Sequence, residues 1–177
     1  MKKEIRLYNV FFPVWLLLLF YPLYWIAVLP VNFGVDLLVI VLTLRALHTE
    51  DIKTKAKKSI WKVWGFGFAA DILGGILMFS TQFIGMFLEK HFPAADAWWY
   101  DNMVNSTMFN AFENIWAFLW VLLCVAFSGL LIYLFNNKIA LKKAITDPAE
   151  RKKLALALAI FTAPYTFFIP TMAGYGY

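Results

Sequence analysis

The chain reads as an all-α, polytopic integral membrane protein, a five-transmembrane-helix bundle with a cytoplasmic N-terminus and the C-terminus outside. Three observations predict this. Of the 177 residues, 62% are hydrophobic and only 15% charged, against about 25% charge in a soluble domain. Five apolar runs reach or approach the roughly 20 residues that a spanning helix needs. The basic residues fall between these runs in an alternating pattern. Mean hydropathy is +0.68. A soluble globular enzyme, a disordered chain and a nucleic-acid-binding module are excluded on these grounds.

The runs are 10–29, 31–47, 63–88, 113–135 and 154–172. What remains is too little for a soluble domain, so 1–177 is read as one membrane domain. The first run exceeds a signal-peptide core of about 7–15 residues and lacks a small-x-small cleavage site, so it is read as a retained span. Pro30-Val31-Asn32 is read as an outer turn that makes the first two spans a hairpin. Pro13, Pro22 and Pro164 are expected to bend their helices.

Orientation follows from charge. Lys2, Lys3 and Arg6, the segment from Arg45 through the loop 48–62, and the loop 136–153 hold every basic residue of the 16 except Lys90. An excess of Lys and Arg marks cytoplasmic loops. Residues 49–61 are expected to lie as a helix along the cytoplasmic surface, against anionic lipid headgroups. The outer loop, 89–112, carries Asp96, Asp101, Asn102 and Asn105 and is expected to be anchored by Trp98, Trp99 and Tyr100. Asp147-Pro148-Ala149-Glu150 has cap, proline and acid in the order that opens a helix. Asn110 to Glu113 has the same cap-to-acid spacing and is read as the start of the fourth span.

The third span carries the most information. At 100° per residue, Gly67, Asp71, Gly74, Gly75, Met78, Thr81, Gln82 and Gly85 share an arc of about 120°. The other side is Ile, Leu and Phe and suits lipid. The glycines permit close helix approach, and a carboxylate inside a span is a functional candidate by default. Against this stands a plain helix–helix hydrogen bond by Asp71. Arg45 is the nearest basic candidate, either paired with Asp71 or snorkelling to the interface. The fourth span aligns Glu113, Ala117, Cys124 and Ser128, and the fifth aligns Ala155, Ala159, Thr162 and Thr166. The third, fourth and fifth spans are therefore expected at the centre of the bundle. Asp36 is assigned to the first turn of the second span, where a carboxylate favours the helix dipole. No second acid is evident beside Asp71.

Reactive motifs are missing. The two histidines, His48 and His91, fall on opposite sides and cannot share a metal. There is no H-E-x-x-H, no G-x-S-x-G and no P-loop. Gly65-Phe-Gly67 lies inside a span and lacks the rest of a dinucleotide fingerprint. Cys124, alone in an apolar run, is a small packing residue. No enzyme activity, cofactor or metal is expected. Two functions compete. The first is a non-catalytic accessory, assembly or immunity-type component with a membrane-protein partner. The second is a small oligomeric permease or channel, with Asp71 and the glycine-rich face in its path. The lysine-rich start and compact loops point to a bacterial cytoplasmic membrane.

Overall fold

The computed structural model describes residues 22–170, with side chains from residue 26. Among them there is helix and no strand. The helices are α1 (Pro22–Ala46), α2 (Ile52–His91), α3 (Pro93–Trp99), α4 (Ser106–Phe109), α5 (Ile115–Phe135) and α6 (Pro148–Phe161). Three are long and apolar enough to cross a membrane: α1 over Ile26–Ala46, α2, and α5 with its extension to Ala140. Most of the first expected span, 10–21, lies outside the described residues.

The hairpin expected at Pro30 is absent. α1 runs through Pro30 to Ala46 as one helix. A proline inside a helix frees one carbonyl, here that of Ile26. A tight turn would free several backbone groups among apolar residues, which is worse where no water can satisfy them. Trp64 of α2 braces this turn of α1 by donating from Nε1 to the Leu29 carbonyl at 3.3 Å. One consequence is a correction to Asp36. It sits in the interior of α1, buried at 6% exposure, far from any helix N-terminus.

α2 has 40 residues, about 60 Å at 1.5 Å per residue and twice the hydrocarbon thickness. The lysine-rich segment expected to lie on the surface is its first three turns. Its Lys and Trp61 side chains point outward, while Ala56, Ser59, Ile60 and Val63 are buried. They pack with Ile40 and Leu44 of α1, Ala140 to Ile145, and Leu154 to Leu158 of α6. Burying that stripe holds the segment in line with the rest of α2.

α1 therefore lies beside the first half of α2, and α5 lies beside the second half. Phe66 meets Phe135 at a ring separation of 5.5 Å, Gly74 abuts Ser128, and further along Gly85 meets Val104 and Trp99. α6 runs parallel to α2 from the lysine-rich end. Glu150 binds Lys55 at 3.5 Å and Thr49 at 3.1 Å. Both basic loops, 48–62 and 136–153, thus belong to one end of the bundle.

The helical stripes match the expectation in part. Gly74, Gly75, Met78, Thr81 and Gly85 are buried, whereas Ile72, Leu73, Ile76, Phe83, Ile84 and Phe87 are exposed. Ala117, Cys124 and Ser128 are buried along α5, and Ala155 on α6. Glu113 and Thr166 are exposed, and Ala159 and Thr162 are half-buried; the regular helices begin after Glu113 and end before Thr162. Asp147 caps α6 by accepting from the Ala149 and Glu150 amides. Two helix ends differ. Asn110 caps only a short 3-10 turn (Ala111–Glu113), and Asn114 caps α5 by accepting from the Trp116 amide.

α6 is the larger departure. It has 14 residues, about 21 Å, too short to cross. Pro164 disfavours helix at Ala163 and has no N–H for the Ile160 carbonyl. Leu158 O keeps its helical bond from the Thr162 amide at 2.9 Å and accepts also from Thr162 Oγ1 at 2.8 Å. Ile160 O accepts from Tyr165 Oη at 2.6 Å. The chain continues as a 3-10 turn (Tyr165–Phe168), whose Phe167 packs on Gly74 and Met78. Where one bent span was expected, a short helix ends in an irregular segment against α2.

Candidate functional site

α1, the middle of α2 and the broken end of α6 enclose a cavity of ≈150 Å³. α1 contributes Asn32, Val35 and Asp36; α2 contributes Trp64, Gly67, Phe68 and Asp71; the remainder is Phe161 to Pro164 with Thr166. Helical spacing explains the α2 wall: positions 64, 67, 68 and 71 share one face. Asn32 and Asp36 are one turn apart on α1 for the same reason.

Two carboxyls therefore stand in one site. Asp36 Oδ2 lies 3.8 Å from where a Cβ on Gly67 would be, and Asp36 and Asp71 line the same cavity. Thr162 lies in the same cavity wall as Asp36, and its hydroxyl donates to Leu158 O. Asp71 Oδ1 is fully enclosed and has no hydrogen-bond partner.

Among the described residues, no Lys, Arg or His lines the cavity. The C-terminus of α6, which carries the negative end of the helix dipole, ends at the same place. Carboxyls, dipole and low-dielectric walls all favour positive charge, a proton or a cation, between Asp36 and Asp71. Among the described residues no group of three or more His, Cys, Asp or Glu side chains could hold a metal.

The residues singled out from sequence separate into three groups. Asp71 and Gly67 line the cavity. Gly74 and Gly75 are buried one turn further along α2, where Gly74 faces Ser128 and Phe167. Gln82 lies beyond them, with its Nε2 enclosed and unpartnered. Arg45 is exposed in the last turn of α1, and Asp71 shares its cavity with Asp36 instead. Sequence reasoning missed Asp36, Asn32 and Trp64 as site residues and placed Thr162 only as a packing residue. The available signal was the Asn32–Asp36 spacing, which becomes mid-helix once α1 is continued through Pro30.

No family model, curated protein or solved structure matches the chain.

Proposed function

We propose that the chain is a small multi-pass permease of the cell membrane, in which Asp36 and Asp71 take up positive charge within the bundle. The observation that carries this reading is the pairing of two carboxyls from different helices in one cavity that no basic side chain among the described residues lines. The broken α6 adds to it. Transporters place binding sites where helices are discontinuous, because free backbone groups and unwound chain supply ligands there. The lysine-rich end, with Lys53 to Lys62 and Lys138 to Lys153, faces the cytoplasm by the charge rule.

Purified protein in proteoliposomes, with an internal pH dye and an imposed membrane potential, tests the reading. Wild-type vesicles are expected to carry a cation or proton current, and Asp36→Asn or Asp71→Asn to lose it while remaining monodisperse. An undiminished current in the double variant overturns the reading, as does the absence of any current from folded wild-type protein.

The second reading is the accessory, assembly or immunity-type component, with a membrane-protein partner or a second copy. It is favoured by the shallow burial of α1, where Ile26 is 72% and Val31 63% exposed. A mild-detergent pull-down returning a stoichiometric partner, together with silent proteoliposomes, selects it.

A further inference from the structure

We infer that the charge taken up between Asp36 and Asp71 is the head of a small organic monocation, an alkylammonium ion, and not a bare metal ion. The inference rests on the permease reading and names its substrate class.

The cavity wall has two characters. One side is polar: Asp36, Asp71, Asn32 and the Thr162 region. The other is aromatic and aliphatic, led by Trp64 and Phe68. These two rings meet edge to face, with centroids 5.4 Å apart and planes at 89°. With Val35, Ala163 and Pro164 this aromatic corner makes one side of the cavity apolar, and Trp64 is fixed there by its bond to Leu29 O.

A metal ion suits this wall poorly. Ca²⁺ takes about 6–8 oxygen ligands and Mg²⁺ demands a near-ideal octahedral shell. The Thr162 hydroxyl already donates to Leu158 O. Waters completing the shell would lie against Trp64, Phe68 and Val35 without partners. An alkylammonium ion fits both sides. Its N–H groups donate to Asp71 Oδ1, which is enclosed and unpartnered, and to Asp36, while its carbon chain covers the aromatic corner. The volume agrees: ≈150 Å³ is the size of an apolar cavity that accepts benzene.

The test is calorimetric titration of n-butylammonium into the full chain in lipid nanodiscs, with butan-1-ol and Na⁺ as controls. The expected result is saturable binding of n-butylammonium alone, weakened as pH falls because protons compete. Asp71→Asn is expected to lose binding by at least tenfold. If n-butylammonium fails to bind while the Asp36/Asp71-dependent current persists, the organic-cation inference falls and the permease reading survives. If butan-1-ol binds as well as n-butylammonium, the site recognises apolar volume and the inference falls. If neither current nor charge-dependent binding is found in folded protein, both fall.

Discussion

Gly74 of α2 sits against Ser128 of α5 so closely that a methyl group at position 74 would overlap Ser128 Oγ. It would also come within 3.2 Å of Ser128 Cβ and 3.3 Å of Phe167 Cε2. Gly74→Ala is therefore expected to destabilise the protein by about 1–3 kcal/mol, the usual range for overpacking. Ser128 Oγ has no hydrogen-bond partner, so Ser128→Ala is expected to leave stability unchanged or raise it. The double variant should recover much of the loss. Thermal unfolding in detergent of the four proteins checks this, and additivity of the two changes would show that the residues are not in contact.

Gly67→Ala makes the contrasting case. A Cβ there meets only Asp36 Oδ2, at 3.8 Å, an ordinary contact. The melting temperature should stay close to wild type, yet the methyl group projects into the cavity. The proteoliposome current should fall severalfold. A glycine needed only for helix packing would give the opposite pattern, lost stability with any residual current per folded molecule unchanged.

Much of this arrangement is written in the sequence, because periodicity reports which face of a helix is buried. The buried stripe of α2 and the small residues of α5 follow directly from spacing at three and four residues. The cap at Asp147 is legible because it is local: side chain and amides lie within one turn. The site itself is not local. Asp36 meets Asp71 only through the register in which α1 crosses α2. That register depends on α1 continuing through Pro30, which a single proline does not decide. Pro164, the same residue type, stops α6. There the Ile160 carbonyl, which Pro164 cannot serve, accepts from the Tyr165 hydroxyl. Such side-chain rescue has no signature in hydropathy.

Asp147 gives a prediction in pH. It lies outside the spanning segments, and the Glu150 and Ala149 amides that donate to it hold its carboxyl below the ordinary value of 3.8. A carboxyl depressed in the folded state adds stability above its unfolded value, and that stability is lost as pH falls through the folded value. The contribution is thus complete above about pH 5 and fades below about pH 4. Asp147→Ala should lower the melting temperature at pH 7. The gap from wild type should close as pH drops below 4. A gap that is constant down to pH 3 would mean the side chain acts without its charge.

Thr162 tests the link between the broken helix and the acid pair. Its hydroxyl donates to Leu158 O, and it lines the cavity together with Asp36, which is buried. Thr162→Val keeps the shape and removes the hydroxyl. The expected loss is about 0.5–1.5 kcal/mol, the net value of one hydrogen bond. Thr162→Ser restores the hydroxyl and should recover most of it. Function separates the structural role from the electrostatic one. If Thr162 holds Asp36 in place for cation uptake, the valine variant should need a higher cation concentration for half-maximal current, and serine should restore the wild-type value. If the hydroxyl only ends α6, valine and serine should both keep the wild-type concentration dependence, and valine should differ in melting temperature alone.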